Sequence, residues 1–212
     1  MAQDPDITLY FSVASRSFIA RWALEELGVP YRVEITDIRF GQQKAAEYLR
    51  INPMGKVPAL SDHGAIVTEA PAICLYLADR YGYGTLAPRI ESPLRGPYFR
   101  WTTFSTAVAE PALWLEPTDD PAYARGVGWG DRKTVLALLE NLLAQGPWVL
   151  GEQFTAADIA LGGILSMAHY NNKVPHTPVF NAYVERLAAR PACTRAAEAT
   201  WPAELFQSAS ES

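Results

Sequence analysis

The string Asn52-Pro-Met-Gly-Lys-Val-Pro58-Ala-Leu60, followed nine residues later by Glu69-Ala-Pro-Ala-Ile73, carries the most chemistry in this 212-residue chain. Pro58 opens what reads as a strand, and a proline there removes a ladder donor. Val57-Pro58 is therefore expected at an edge or a turn, where a cis bond is one way to present the Val57 N–H and C=O outward. An outward pair of backbone groups on an edge strand binds an extended peptide by adding it to the sheet. Downstream, Glu69 and the N–H of Ala70 fall where a helix begins. That sets a carboxylate able to pair with an ammonium beside amides able to take a carboxylate.

Composition removes other chemistries. The net charge of −5 and the pI near 5.2 argue against nucleic acid, whose binding draws on clustered Lys and Arg. No basic run suits an anionic membrane surface, and no apolar run approaches the roughly 18 residues of a membrane span. Cys74 and Cys193 stand far apart, and His63, His169 and His176 share no ligand spacing, so neither a disulfide framework nor a metal is expected. The glycines of Gly126-Val-Gly128-Trp-Gly130 lack a following Gly-Lys-Ser/Thr and a preceding strand, so they read as a loop. Met1 to Pro5 show no legible secretory signal, and the expected location is cytoplasmic.

Two grammars position the candidate residues. Up to about residue 85, strand-like and helix-like segments alternate. Ile7 to Phe11 is β-prone. Ser17 to Leu27 has Phe18, Trp22, Leu24 and Leu27 at helical spacing, with Gly28 and Pro30 as a stop. Tyr31 to Ile35 reads as a strand, about Gln42 to Arg50 as a polar helix, and Val57 to Ser61 and Ala65 to Thr68 as a hairpin across Asp62-His63-Gly64. Pro71 then opens a helix to about Tyr81. The order is βαβαββα.

From about Ser92 no strand pattern remains. Pro97 to Trp114 is helical with a kink predicted at Pro111. Val135, Leu138, Leu139, Leu142 and Leu143 form an amphipathic stripe, and Pro178 to Arg190 is a further helix. Thr155-Ala-Ala-Asp158 is a capping-box pattern opening a helix to about His169 that is apolar on every side, as a central helix of a bundle is. The expected division is 1–85, a linker at 86–92 and an all-helical 93–212.

Taken together these motifs resemble the cytosolic glutathione transferases: a thioredoxin-like α/β N-terminal domain with a cis-proline at Val57-Pro58, a Glu-Ser/Gly/Ala step at Glu69-Ala70, and an all-α C-terminal bundle whose central helix opens with Thr155-Ala-Ala-Asp158. The resemblance covers essentially the whole chain. It implies that Val57 holds the cysteinyl backbone of glutathione and that Glu69 with residue 70 holds its γ-glutamyl end. It further implies that Lys44, with Gln43 and Lys56 as neighbours, meets the glycyl carboxylate. Ala70 stands where the family usually has Ser. The implied activity is transfer of glutathione to a small hydrophobic electrophile, by a homodimer.

A free thiol has a pKa of about 8.5, and lowering it by about 2 units takes roughly 2.7 kcal/mol of preferential stabilisation of the thiolate. The family supplies that with a hydroxyl or a Cys near the end of the first strand. Counting back from the first helix puts the serine-type hydroxyl on Ser15, with Ser17 and Tyr10 as alternatives. The cysteine-type position falls on Arg16, so the chain looks serine-type, and an inward Arg16 would add charge beside the thiolate. A Ser before a helix is ordinarily its N-cap, a Tyr in a strand ordinarily packs, and a Lys on a polar helix is ordinarily solvated. For the second substrate the resemblance points to Tyr98, Trp101, Phe104, Ser105, Val108 and Trp114, with Trp201 and Phe206 as late aromatics able to close the pocket. Glutathione-dependent disulfide or peroxide reduction, and glutathione binding without catalysis, fit the same residues.

Overall fold

A four-stranded sheet in the order β2-β1-β3-β4 forms the centre of the first part of the chain in the computed structural model, which describes residues 6–115 and 120–203. Its strands are β1 (Ile7–Phe11), β2 (Arg32–Ile35), β3 (Ala59–Asp62) and β4 (Ala65–Thr68). β1 runs parallel to β2 and antiparallel to β3, and β3 pairs antiparallel with β4. Helix α1 (Ser17–Leu27) makes the crossover between the parallel pair, and α3 (Ala70–Tyr81) packs against it. Helical spacing puts Phe18, Ile19, Trp22 and Ala23 of α1 inside, each 2% exposed or less. Burying each large side chain of that set contributes about 1.5–3 kcal/mol. Gly28 ends α1 at φ +63°, returning its N–H to the Leu24 carbonyl at 3.0 Å.

Two local expectations are corrected. The hairpin turn is two residues, His63-Gly64, both at positive φ, because Asp62 pairs with Ala65. The helix expected over about 42–50 is only Ala46–Leu49 (α2), behind 3-10 turns at Ile38–Phe40 and Gln42–Lys44. Gly41 is left-handed and Ala45 extended, so neither carries a helix across.

The remaining helices are α4 (Arg95–Phe104), α5 (Glu110–Trp114), α6 (Pro121–Gly126), α7 (Arg132–Leu143), α8 (Ala156–Tyr170), α9 (Pro178–Ala188) and α10 (Pro191–Thr200). The break expected at Pro111 is a π-helical turn over Ser105–Ala109, in which the Glu110 N–H reaches back to the Ser105 carbonyl. A widened turn just ahead of a proline accommodates the missing N–H. Helix α8 is buried on every side from Ala156 to Leu165.

The chain falls into two compact units, one of residues 1–81 with the segment from Pro191, the other Gly82–Arg190. This departs from the expected division in two respects. The segment 82–92 belongs to the helical unit, and α10, which the pattern from residue 93 onward assigned to that unit, packs on α1 in the first. A salt bridge of 2.7 Å from Arg195 to Glu25 fastens α10 to the C-terminal part of α1. No helix among the described residues is long and apolar enough to cross a membrane.

Candidate functional site

One row of the sheet collects the candidate residues of the first unit. Tyr10 pairs with Ala59, and Ala59 with Thr68. The chain leaving β1 (Ser12 to Ser17), the chain entering β3 (Val57-Pro58) and the chain leaving β4 (Glu69-Ala70) therefore share one end of the sheet. β2 ends there too, since Ile35 lies opposite Phe11, and this brings in the turn with Gln43 and Lys44. From β1 to β4 is two strand spacings, about 10 Å, which a three-residue extended peptide can span.

The middle of this row is rigid for a visible reason. The Val57-Pro58 bond is cis. The carbonyl of Lys56 accepts from Tyr48 Oη at 2.5 Å and from Asn52 Nδ2 at 2.8 Å. In a planar peptide the N–H points opposite to the C=O, so the same two donors turn the Val57 N–H away from them. That N–H has no acceptor among the described residues. Burial raises the Tyr48 phenol to about 12, so it remains a donor at neutral pH. Lys44 Nζ donates to the Met54 carbonyl at 3.2 Å. Gly55, at φ +60°, lets this approach happen: a Cβ there would stand 2.8 Å from the Gln43 carbonyl and from Lys44 Nζ. Gln43 Oε1 is buried and takes no hydrogen bond from the described residues. Tyr48 and Asn52 were not assigned a role from the sequence, although the four-residue spacing to the Asn-Pro step carried the signal.

At the β4 end, Glu69 is exposed and left-handed at φ +70°, and its carbonyl receives the Ile73 N–H at 2.9 Å. An L-residue pays about 1–2 kcal/mol for that conformation. Pro71 has no N–H, so the amides offered at this helix start come from Ala70 and Ala72. Glu69 thus stands at the β4 end of the row and Lys44 in the turn beyond the β2 end.

The three serines of the β1–α1 loop are all buried and differ in their partners. Ser17 is fully buried, and its Oγ accepts the Ser12 N–H at 3.2 Å, so it faces the interior. Ser15 Oγ accepts the Ser17 N–H at 3.1 Å, lies 2.9 Å from Ser17 Oγ, and donates to the Ser12 carbonyl at 2.7 Å. Ser15 thus caps α1, with 7% of its surface exposed. Its backbone N–H has no acceptor among the described residues. Arg16, half-buried, is the residue from which α1 starts. Ala14 is exposed and left-handed at φ +50°, and its N–H donates to the Thr200 carbonyl at 2.8 Å. Tyr10 packs edge-on to Tyr48 at 5.8 Å between ring centroids, and burial followed by Glu34 raises its phenol. Cys74 is fully buried, its thiol pushed up to about 12 by burial.

The candidate pocket aromatics divide. Tyr98, Trp101 and Ser105 are buried in the helical unit, at 0%, 5% and 0% exposure, so they fill its core instead of lining a surface. The reason is packing: α4 and the π-helical turn that follows it both lie against α8. Phe104, Val108 and Trp114 keep partial exposure. Trp201 belongs to the first unit, its ring 4.9 Å from Phe18. Phe206 lies outside the described residues. Among the described residues no three of His, Cys, Asp or Glu come together as a metal ion would need.

Comparisons with known proteins agree with this architecture. The glutathione S-transferase N-terminal domain family matches residues 5–79, and the glutathione S-transferase C-terminal domain family matches residues 120–195. Glutathione S-transferase 3 of Schizosaccharomyces pombe is 29% identical, over 91% of this chain and 87% of its own. Glutathione S-transferase GstB of Escherichia coli is 30% identical over 80% and 86%. The crystal structure of the theta class enzyme of Xanthomonas axonopodis pv. citri, with glutathione bound, superposes with a TM-score of 0.72 at 28% identity, over 91% of this chain and 97% of that one. A sheet end built for an extended peptide, a buried capping box at the head of α8 and these likenesses over both units lead to one conclusion: the chain belongs to the glutathione S-transferase family and is a glutathione transferase.

Proposed function

We propose that this enzyme binds glutathione across the sheet end of the first unit and transfers it to a small hydrophobic electrophile. The observation that carries the reading is the shared row of Tyr10, Ala59 and Thr68, which brings the Ser15 loop, Val57 and Glu69 within one tripeptide length. The Val57 N–H and C=O, flanking the cysteinyl residue, would pair with its backbone. Glu69 would take the γ-glutamyl ammonium, with the Ala70 and Ala72 amides for its carboxylate. Lys44 and Lys56 would meet the glycyl carboxylate, and the orphaned Gln43 Oε1 is an acceptor for a ligand N–H.

Ser15 would activate the thiol through its open N–H and its hydroxyl. The hydroxyl can serve only by turning its proton from the Ser12 carbonyl to the sulfur. Ultraviolet titration of the bound thiol tests this. Ser15→Ala is expected to raise the thiol pKa and slow aryl-halide conjugation at neutral pH by about tenfold, roughly 1.4 kcal/mol, the backbone N–H retaining the remainder. Glutathione affinity by calorimetry should change much less. An unmoved titration would remove Ser15 from the chemistry, and faster turnover of a disulfide than of an aryl halide would move the enzyme to the reductase class.

The electrophile would meet Phe104, Val108 or Trp114, the candidates on the 95–114 run that keep exposed surface. We also propose a cytoplasmic homodimer. Within the first unit Ile35, Phe40 and Met54 are 58%, 78% and 68% exposed, apolar side chains that a partner chain could cover. Light scattering is expected to give twice the 23.3 kDa chain mass, and a value near one chain would refute the dimer.

A further inference from the structure

The loop that carries Ser15 is held from the far end of the chain. Ala14 occupies a left-handed conformation that an alanine does not keep unaided. Its N–H is bound by the carbonyl of Thr200, the last residue of α10. Thr200 is itself fixed: it is fully buried, and its Oγ donates to the Ala196 carbonyl at 2.7 Å. One residue on, the Trp201 N–H closes the last turn of α10 on the Ala197 carbonyl at 2.8 Å, and its ring rests on Phe18. Phe18 is 2% exposed and stacked on the fully buried Trp22, so it is an immobile seat. With Arg195 tied to Glu25, α10 is fastened to α1 from its middle as well as beyond its C-terminal end.

We infer that Trp201 is a positioning residue for thiol activation: it seats the end of α10 so that the Thr200 carbonyl keeps Ala14 left-handed, and that turn aims the Ser15 N–H and hydroxyl. Its role is set against the pocket-lining role that its late position in the sequence suggested. The inference rests on Ser15 acting on the glutathione thiol. Because φ at residue 14 directs the next peptide, a loosened Thr200 lets Ala14 relax to a right-handed or extended conformation and swings the Ser15 N–H away. A glycine at position 14 reaches the same left-handed turn without the strain an alanine pays, and so depends less on the carbonyl.

The test uses the full-length enzyme. Trp201→Ala is expected to raise the pKa of the bound glutathione thiol by half a unit to one unit and to lower kcat for aryl-halide conjugation near pH 6.5 by about three- to tenfold. KM for glutathione should change less than twofold, since the peptide-binding residues are untouched. Adding Ala14→Gly to Trp201→Ala should restore most of the pH profile. A folded Trp201→Ala variant with an unmoved thiol titration overturns the inference, and so does a shift that Ala14→Gly fails to rescue. If Trp201→Ala does not fold, hydrogen exchange of the wild-type enzyme decides: the Ala14 amide should be protected at least tenfold over an open loop amide, and exchange at the open-loop rate overturns the clamp. That measurement needs no glutathione. A protected Ala14 amide alongside a Ser15→Ala variant with normal titration would show that the clamp stands and the reading of Ser15 fails.

Discussion

Asp158→Ala is expected to lower the unfolding free energy by about 3–5 kcal/mol, a large fraction of the stability of an ordinary domain. The carboxylate is fully buried at the head of α8. Its Oδ1 accepts the Val149 N–H at 2.8 Å and the Tyr183 hydroxyl at 3.1 Å, and its Oδ2 accepts the Thr155 N–H at 2.9 Å. Alanine strands two backbone donors and a phenol in the core, each costing about 1–3 kcal/mol. Asp158→Asn should cost less, because its carbonyl still serves Val149 and Tyr183 and only the Thr155 N–H faces a donor. Urea unfolding followed by tryptophan fluorescence measures both, and an unchanged midpoint for Asp158→Ala would refute the assignment.

The same residue carries a pH signature. Burial raises its carboxyl from the usual 3.8 to about 6, against the opposing pull of the Val149 and Thr155 amides and the Tyr183 hydroxyl. The folded state thus binds this proton more tightly than the unfolded state does. Its contribution to stability is fully present below about pH 4 and is lost as pH rises through about 6. Over that interval the difference between wild type and Asp158→Asn should change on the order of 3 kcal/mol, wild type losing ground as pH rises. A difference independent of pH would mean that the carboxyl keeps its ordinary pKa.

Glu69→Ala is expected to weaken glutathione binding by about 2 kcal/mol, roughly thirtyfold. This is the low end for removing one member of a charge pair, because the Glu69 side chain is exposed and its charge stays partly in water. Glu69→Gln, which keeps an acceptor, should lose less. Glu69→Gly separates binding from folding. It removes the carboxylate while relieving a backbone held at φ +70°, so affinity falls as in Glu69→Ala and thermal stability holds or rises. Calorimetry and a thermal melt on the three variants check this, and unchanged affinity in all three would remove Glu69 from the site.

How much of this was legible depended on how far apart in the chain the deciding groups lie. The stop at Gly28, the capping box of Thr155 and Asp158, the cis bond at Val57-Pro58 and the apolar α8 are each written within a few residues, and the structure has all four. The βαβαββα order followed from periodicity, and that order brings Ser15, Val57 and Glu69 to one end of the sheet. Other features had no local mark. Ser12, Ser15 and Ser17 are alike in sequence, and only the turn of the loop closed Ser12 and Ser17 off completely and left Ser15 a small exposed edge. Tyr98 and Trp101 read equally well as pocket or core until α8 covered them. Ala14 is left-handed with no glycine to announce it, held by a carbonyl 186 positions later in the chain. The sequence by itself determined the elements and the motif chemistry, because hydrogen bonds to near neighbours decide those. Tertiary structure decided which face of each element is buried and that α10 belongs with α1, because those outcomes turn on packing between segments that meet only when the chain is folded.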